Sequence, residues 1–302
     1  MNIGITGASG MLGTSLISKL CKENRIYATS RREGIERDQV NWECFDLLNF
    51  KALHNWLESN NFDFVIHCAA MVNVDACEKN PSLAEKLHYK TTKVIAEYLD
   101  QTSSSLIYIS TDSVFDGNKN NPYTEKDKPK PLNAYARTKL SGENPVLNMK
   151  NGLVLRTSII GWSRCENLSF AEGIIKSLVK KEKINLFDDV IFSPLNVSDL
   201  SCIILQAIEK RITGLYNATS NTSISKYEFG LMIAGIFSLK GSNIIKSSIK
   251  KSDLVADRPK NMSLDSVKLS MAINMEMPSP IQAIQLLKEQ YNSRVGFLNK
   301  KP

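Results

Sequence analysis

The stretch GITGASGMLG at residues 4–13 places three glycines, Gly7, Gly10 and Gly13, between a short apolar strand pattern and an amphipathic helix pattern. Glycine permits a tight turn, lets the backbone approach a phosphate closely and allows the helix to pack against the strand. The helix then offers unpaired N–H groups and its positive dipole end to a pyrophosphate. The spacing is GxxGxxG, not the usual GxGxxG, so the glycines alone decide nothing. Their place between a strand and a helix favours a dinucleotide-binding turn.

Beyond this turn, short β-branched runs alternate with longer helical patterns. Helical patterns occupy residues 11–23 and 82–101 and surround Tyr135. The strand patterns are NIGIT (2–6), RIYATS (25–30), FDFVIHCAA (62–70), SLIYIST (105–111) and GLVLRTS (152–158). Such alternation predicts parallel strands joined by crossover helices that cover both sheet faces. The fold class is therefore α/β, a Rossmann-type doubly wound parallel sheet.

The pattern becomes less regular after residue 158. A helix pattern at 197–211 and a strand pattern at 214–219 can rejoin the sheet. The rest is left for a smaller, discontinuous α/β substrate domain toward the C-terminus. We predict a nucleotide-binding domain of residues 1–158 plus about 193–219, and a substrate domain of about 159–192 plus 220–302.

The composition is that of a globular protein with excess positive charge. Of the 302 residues 42% are hydrophobic, the net charge is +7 and the pI is near 9.0. The basic residues are spread over short runs without interleaved aromatic residues, so nucleic-acid binding is not expected. An anionic small ligand accounts for the charge better.

The cysteines and histidines show no metal-binding spacing. We therefore expect no metal, packed or exposed histidines at His54, His67 and His88, and reduced, mostly buried thiols. The thiols are Cys21, Cys44, Cys68, Cys77, Cys165 and Cys202. No apolar run approaches the ~20 residues that span a bilayer, and the strand pattern at the first residues leaves no place for a signal peptide. A cytoplasmic protein without a membrane partner is expected, and a homodimer is left open.

The end of the second strand pattern bears on the cofactor. NAD-binding folds place an acidic residue there to bind the adenosine ribose, whereas TSRRE at residues 29–33 carries Ser30, Arg31 and Arg32. A guanidinium can hold the 2′-phosphate of NADP in a charge-assisted contact. The alternative is a pair of solvated arginines. We predict NADPH as the cofactor and leave NADH open.

The segment PLNAYARTKLSGE at residues 131–143 places Tyr135 and Lys139 four positions apart. Spacing alone is compatible with two unrelated residues on a helix surface. A ketone reduction, however, needs a proton for the developing alkoxide, and a phenol with a pKa near ~10 exchanges protons poorly at neutral pH. A nearby ammonium, together with the positive nicotinamide ring that hydride transfer leaves, stabilises the phenolate and is expected to lower its pKa.

These motifs resemble the extended short-chain dehydrogenases/reductases. TGASGMLG, HCAA, STDSVFDG, YARTK and LRTS occur in the order and at distances similar to that family. AAMVNVDACE (69–78), STDSVFDG (110–117), NAYARTKLSGE (133–143) and RPKNMSLDSVKL (258–269) resemble its dTDP-4-dehydrorhamnose reductase branch. The resemblance covers nearly the whole chain.

The resemblance implies roles for individual residues. Tyr135 would be the general acid, Lys139 its partner and cofactor-ribose ligand, and Thr111 the hydroxyl that orients the substrate carbonyl. The remaining cofactor-binding residues would be Gly7, Gly10, Met11, Leu12, Gly13, Ser30, Arg31, Arg32, Asp46, Leu47, Ala69, Ala70 and Met71. The substrate would contact Val72, Asn73, Thr111, Asp112, Tyr135, Trp162 and Arg258. Two of these positions have equally plain structural readings: Asp46 as a helix N-cap and Arg258 as a surface arginine.

The resemblance also separates this chain from related enzymes. Dehydratases of the superfamily carry aspartate then glutamate after the threonine, where this chain has Asp112 and Ser113; GDP-fucose-forming epimerase/reductases carry a cysteine where Asp112 stands. Simple reduction remains, of the C4 keto group of a nucleotide-linked 4-keto-6-deoxy sugar for surface-polysaccharide or deoxysugar biosynthesis. Ile159, Phe192 and Leu195 depart from the family pattern near the expected sugar and base, so their identity stays open.

Two other functions stay open from the sequence. One is a reductase of a UDP- or GDP-linked keto sugar. The other is a non-catalytic NADP-binding regulatory subunit, as the beta subunit of methionine adenosyltransferase is in this branch. The presence of Thr111, Tyr135 and Lys139 together favours catalysis, because a protein that only binds has no need of a proton donor.

Overall fold

A computed structural model describes residues 1–34, 38–163, 168–251 and 254–298. It contains a seven-stranded sheet, three two-stranded sheets and helices on both faces of the large sheet. The strands are β1 (Asn2–Thr6), β2 (Arg25–Ser30), β3 (Val40–Cys44), β4 (Phe64–His67), β5 (Ser105–Thr111), β6 (Gly152–Thr157), β7 (Ile159–Ile160), β8 (Ile184–Phe187), β9 (Ile191–Phe192), β10 (Leu195–Asn196), β11 (Gly214–Ala218), β12 (Ile224–Ser225) and β13 (Ile244–Ser247). The α-helices are α1 (Met11–Leu20), α2 (Phe50–Glu58), α3 (Val74–Lys79), α4 (Pro81–Glu85), α5 (Thr91–Gln101), α6 (Ala134–Leu147), α7 (Phe170–Val179), α8 (Val197–Glu209), α9 (Lys226–Ile236), α10 (Val267–Ile273) and α11 (Pro280–Leu298).

The large sheet is parallel throughout, with the strand order β11-β6-β5-β4-β1-β2-β3. The chain starts in the middle of the sheet, moves outward through β2 and β3, and then crosses back to β4. The order therefore reverses between β1 and β4, and ligands of such sheets bind at the carboxyl ends of the strands beside this switch point. The predicted doubly wound α/β fold is confirmed.

Most predicted elements occur where their patterns lie. The strands at 2–6, 25–30 and 105–111 match to the residue, and the strand pattern at 214–219 does join the edge of the sheet as β11. The strand predicted over 62–70 is shorter, because the chain leaves the sheet after His67 and enters the loop before α3. The helical stretch predicted at 82–101 is interrupted by one π-helical turn, Lys86–Lys90.

Apolar side chains cover both faces of the large sheet. One core lies between the sheet and helices α1, α8 and α10, and includes Leu16, Ile203 and Leu269. The core on the opposite face surrounds Trp56 and Tyr108 and includes residues of α2, α5 and α6. Helix α10 thus packs on the nucleotide-binding side, which differs from the predicted division, since that division places residues 220–302 in the substrate domain.

A separate core, called the second core below because it lies apart from the large sheet, is formed among α7, α9 and α11. Ile174, Phe229 and Leu287 are fully or nearly fully buried there. The parallel pair β8–β13 and the antiparallel pair β9–β12 border this core. Its boundary with the large sheet is formed by β7, which pairs with β10 directly after β6 ends.

The cysteines are less buried than predicted. Cys77 is buried, Cys68 and Cys202 are half-buried, and Cys44 is exposed because it lies on the edge strand β3. Cys21 is buried as well, and Cys165 lies outside the described residues. None of the helices in the described part of the chain combines the length and the apolar character that crossing a bilayer requires.

Candidate active site

The glycine turn forms a cradle that larger residues cannot occupy. Gly7 has a φ of +63°, and a Cβ atom there would lie 2.7 Å from the backbone nitrogen of Ala69. A Cβ atom on Gly13 would lie 2.6 Å from the carbonyl oxygen of Gly7. Gly10 begins α1 without any side-chain cap, so the first N–H groups of the helix are open to a ligand. This donor set at the switch point fits a dinucleotide diphosphate.

The carboxyl end of β2 presents the two predicted arginines. Arg31 and Arg32 are exposed. The buried Ser30 hydroxyl donates a hydrogen bond to the carbonyl oxygen of Arg32, which holds this turn. A phosphate on the adenosine side of the cradle would meet these two guanidinium groups. The Glu33 carboxylate lies at the same strand end, where its charge helps to raise the pKa of Cys44, the β3 partner of Ser30.

Asp46 is not the N-cap of α2. Asn49 caps this helix, because its side-chain oxygen accepts from the Ala52 N–H at 3.2 Å. The exposed Asp46 carboxylate accepts from the Leu48 N–H at 2.9 Å and closes the preceding turn. The capping interpretation was wrong because Asn49, three residues later, provides the same kind of side-chain acceptor. The neighbouring Leu47 is buried.

The loop after β4 is fixed by a buried histidine. Ala69, Ala70 and Met71 are half-buried, and the Met71 N–H donates to Nε2 of His88 at 2.9 Å. Nδ1 of His88 lies 2.8 Å from the Thr138 hydroxyl of α6. Because Nε2 accepts, Nδ1 carries the proton and donates to Thr138.

His88 is a neutral link between this loop and α6, the helix that carries Tyr135 and Lys139. Burial and the nearby Lys139 charge lower its pKa to about 2. Its ring contacts the Tyr135 ring edge-to-face at 5.8 Å. His88 therefore does more than fill space, although it was predicted only as a packed or exposed residue.

The two predicted substrate residues that follow lie at the start of α3. Val72 is 74% exposed, a large exposure for an apolar side chain. Asn73 caps α3, because its side-chain oxygen accepts from the Ala76 N–H at 2.9 Å. The Asn73 side chain thus has a structural role whether or not a ligand contacts it.

The start of α6 is held from two sides, which sets the position of Tyr135. Asn133 caps the helix by accepting from the Ala136 N–H at 2.9 Å, and its amide group donates to the carbonyl oxygen of Asp257 at 2.8 Å. Glu78 of α3 accepts from the Ala134 N–H at 2.6 Å. Tyr135, the second residue of the helix, therefore has little freedom to move along or around the helix axis.

Lys139 is buried beneath the strand ends. Its side chain is on the inner face of α6 with only 3% exposure, and Nζ donates to the carbonyl oxygen of Ile109 at 2.5 Å. Nζ also lies 4.1 Å from the centre of the Tyr108 ring. Burial lowers the pKa of Lys139 to about 7, although the Glu143 carboxylate acts in the opposite direction.

A buried ion pair lies one turn further along α6. Glu143 accepts from Arg156 of β6 at 2.9 and 2.7 Å and from the Ser110 hydroxyl at 2.5 Å. Both charged side chains are almost fully buried. The contacts of Glu143 with Ser110 and Arg156 join α6 to β5 and β6, one helical turn from Lys139.

The phenol of Tyr135 does not have the lowered pKa that the sequence led us to expect. Burial, together with the charges of Asp112 and Cys77, raises the pKa of Tyr135 to about 12. Only the hydrogen bond with the Thr111 hydroxyl acts to lower it. The prediction considered the ammonium of Lys139 and the positive charge of an oxidised nicotinamide, and it omitted the cost of removing a phenolate from water.

Thr111 and Asp112 form a polar cluster at the carboxyl end of β5. Both are buried, and the Thr111 hydroxyl donates to Oδ1 of Asp112 at 3.0 Å. The Ser113 hydroxyl donates to the same oxygen at 3.1 Å. Burial raises the pKa of the Asp112 carboxyl. Thr111, Tyr135 and Lys139 are thus brought to one edge of the sheet, close to the loop that follows β4.

Arg258 and Trp162, two predicted substrate residues, have protein partners. Arg258 is half-buried and donates to Oδ1 of Asp75 at 2.8 Å, so it is not a solvated surface arginine. The Trp162 indole N–H donates to the carbonyl oxygen of Leu287 at 2.9 Å. Its ring packs against Tyr291 at 5.4 Å in the second core. A substrate contact of Trp162 stays a prediction.

The positions that depart from the family pattern near the expected sugar and base pack within the fold. Ile159 pairs with Leu195 in the β7–β10 ladder, and Leu195 is fully buried. Phe192 is buried in the second core. In the described ranges, no group of histidine, cysteine and acidic side chains is arranged to hold a metal ion.

Short-chain dehydrogenases/reductases are the class of protein that this doubly wound fold and this Thr–Tyr–Lys cluster define. A family model described as the RmlD substrate binding domain matches residues 1–292. The chain belongs to this family, which confirms the predicted branch.

Individual relatives fall into two functional groups. Methionine adenosyltransferase 2 subunit beta of Rattus norvegicus is 32% identical over 295 residues, which cover 91% of this chain and 83% of that protein. A dTDP-4-dehydrorhamnose reductase of Aggregatibacter actinomycetemcomitans is 28% identical over 285 residues, which cover 90% of this chain and 93% of that protein. The crystal structure of dTDP-4-dehydrorhamnose reductase from Bacillus anthracis str. Ames in complex with NADP superimposes with a TM-score of 0.86, at 28% identity, and covers 96% of this chain and 99% of that one.

The burial of Lys139 predicts a specific pH dependence of stability. Its pKa is about 7 in the folded protein and 10.5 ordinarily, so the unfolded chain binds the extra proton across this interval. The cost of burying the ammonium is full below pH 7 and disappears as the pH rises toward 10.5. Relative to Lys139→Met, the wild-type free energy of unfolding should therefore rise by up to ~1.4 kcal/mol per pH unit in this window.

Urea denaturation from pH 6.5 to 9.5 measures this difference, with exposed Lys210→Met as the matched control. The control should follow the wild type at every pH. Parallel curves for the wild type and Lys139→Met would show that Lys139 keeps an ordinary pKa.

Proposed function

We propose that this protein is an NADPH-dependent reductase of the C4 keto group of a nucleotide-linked 4-keto-6-deoxy sugar, similar to dTDP-4-dehydrorhamnose reductase. The observation that supports it most is the buried cluster of Thr111, Tyr135 and Lys139 at the carboxyl ends of the strands, beside the glycine cradle. We infer a role in deoxysugar or surface-polysaccharide biosynthesis.

The cofactor would lie along the switch point. Gly7, Gly10 and Gly13 leave room for its diphosphate at the start of α1, and Arg31 and Arg32 would bind the 2′-phosphate. The half-buried loop of residues 69–71 would lie against the ribose and nicotinamide. NADPH, when bound there, supplies the hydride.

Three side chains would take part in proton transfer to the substrate. The Thr111 hydroxyl would orient the substrate carbonyl together with the Tyr135 phenol, whose pKa Thr111 acts to lower. The phenol, whose pKa is about 12, holds its proton at neutral pH and releases it only to a strongly basic alkoxide. The Lys139 ammonium then stabilises the phenolate and can donate a proton to it. The neutral amine takes up a proton from water again, because its pKa of about 7 allows both charge states.

The substrate domain would be the unit built around the second core. We propose that the sugar nucleotide lies between this unit and the carboxyl edge of the large sheet, near Val72, Asp112 and Arg258. The nucleotide base and the sugar remain to be identified by assay.

A non-catalytic subunit is the second candidate function. The observation that favours it is the 32% identity with methionine adenosyltransferase 2 subunit beta. In that case the glycine cradle would bind the dinucleotide for structural or regulatory purposes. The two candidates differ in one measurable property, the oxidation of NADPH by a keto sugar.

A substrate panel with a Tyr135→Phe variant tests the proposed reduction. NADPH absorbance is followed with dTDP-, UDP-, GDP- and CDP-linked 4-keto-6-deoxy sugars. We expect turnover with at least one of them and a ~10²–10⁴-fold lower kcat for Tyr135→Phe, because the proton donor is lost while NADPH binding is retained. Tyr98→Phe on α5 is the matched control and should keep wild-type kcat. NADPH binding without turnover on the whole panel would support the subunit function instead.

The cofactor preference is tested by the double variant Arg31→Ala/Arg32→Ala. Loss of charge-assisted contacts to a phosphate costs about 1.5–3 kcal/mol, which predicts a ~10–100-fold higher KM for NADPH. The KM for NADH should stay unchanged, since NADH lacks the 2′-phosphate. Arg25→Ala, at the opposite end of the same strand, is the control. An equal effect on both cofactors would contradict a 2′-phosphate contact.

A further inference from the structure

Lys226, at the first position of α9, is a positive charge without a direct partner. It is half-buried, and its ammonium makes no hydrogen bond or ion pair with any residue that the structure describes. Its contact is the Phe170 ring, whose centre lies 5.1 Å from Nζ. Two nearby lysines differ: Lys246 pairs with Asp188 at 2.8 Å, and Lys260 pairs with Asp189 at 3.2 Å. A half-buried ammonium without such a partner costs free energy that a bound anion would offset.

The backbone brings Lys226 close to the segment that carries Arg258. The Lys226 N–H donates to Val190 at 3.0 Å, and Ser225 pairs with Ile191. Ile191 in turn donates its N–H to the carbonyl oxygen of Lys260 at 2.7 Å. Lys226 and Arg258 therefore belong to two segments of the chain that both contact the short strand β9.

The same segment lies against the candidate active site. The Ser113 hydroxyl contacts the Met262 sulfur at 3.6 Å, which places the turn after β5 beside residues 258–262. Burial lowers the pKa of Lys226; the charge of Asp112 opposes this shift, and the charge of Arg258 adds to it. Asp75 partly neutralises Arg258 through their 2.8 Å contact. Asp112 is buried and accepts hydrogen bonds from the hydroxyls of Thr111 and Ser113, so these protein groups already satisfy part of its carboxylate.

We propose that the Lys226 ammonium, together with Arg258, binds the phosphate groups of a nucleoside diphosphate that enters this cleft. The inference rests on the proposed function for the nature of that ligand, the diphosphate of the sugar-nucleotide substrate. Lys226 would bridge the two parts of the protein, since it belongs to the second core's helix and acts on a ligand held at the large sheet. None of the sequence motifs indicated this residue.

Calorimetric titration of the full-length protein with dTDP, UDP and inorganic pyrophosphate tests the inference. We expect Lys226→Met and Lys226→Gln to bind the diphosphates ~10–100-fold more weakly, because one charge-assisted contact is lost. Lys226→Arg should keep most of the affinity. NADPH affinity should not change in any of them, and Lys210→Met should behave as the wild type.

The outcomes separate this inference from the proposed function. Wild-type affinity for all three probes in both Lys226→Met and Lys226→Gln overturns the inference, even if the protein is an active reductase. Thymidine, which has no phosphates, is titrated as a further probe. If the Lys226 variants weaken the binding of thymidine and dTDP equally, the inference is overturned, because the loss would then come from packing and not from a phosphate contact. Diphosphate binding that depends on Lys226, in a protein that reduces no keto sugar, supports the inference and overturns the proposed reduction.

Discussion

The arrangement of this site depends on one costly constraint, a lysine ammonium buried beneath the carboxyl ends of the parallel strands. Removing such a charge from water costs several kcal/mol unless nearby groups compensate. Lys139 has a carbonyl acceptor on Ile109, the face of the Tyr108 ring and the Glu143 carboxylate one turn away. Glu143 is buried too, and Arg156 and Ser110 satisfy it. The polar contacts along the inner face of α6 thus fix this helix against β5 and β6.

This constraint accounts for the electrostatics of Tyr135 and Lys139. Burial acts in opposite directions on the two groups, since it raises the pKa of Tyr135 to about 12 and lowers that of Lys139 to about 7. A neutral phenol suits a proton donor, and a lysine that can change charge near neutral pH suits its replenishment. His88 completes the arrangement, because it holds the loop after β4 and contacts the Tyr135 ring while remaining neutral.

The fold was largely predictable from the sequence, because hydrophobic runs and glycine spacing are local signals. The strand at 105–111 and the turn with Gly7 needed no knowledge of distant residues. The site residues were predictable only where they belong to a recognisable sequence motif. Tyr135 and Lys139 stand in a recognisable segment, and Glu143 at the next turn could have been noted as a partner by its i,i+4 spacing. The choice of Asn49 over Asp46 as the cap of α2 and the burial of the Tyr135 phenol could not be predicted. Each depends on the three-dimensional arrangement of residues around the group.

The central claim is that hydride transfer to a keto sugar takes place beside Tyr135. The most direct measurement uses NADPH deuterated at C4 of the nicotinamide, on the face that is transferred, with mass spectrometry of the sugar-nucleotide product. The account predicts one deuterium bound to carbon in the product, at C4 of the sugar, and a ~10²–10⁴-fold smaller amount of labelled product when Tyr135→Phe is used for the same time. A product without deuterium, or no product from any nucleotide-linked keto sugar, would contradict it.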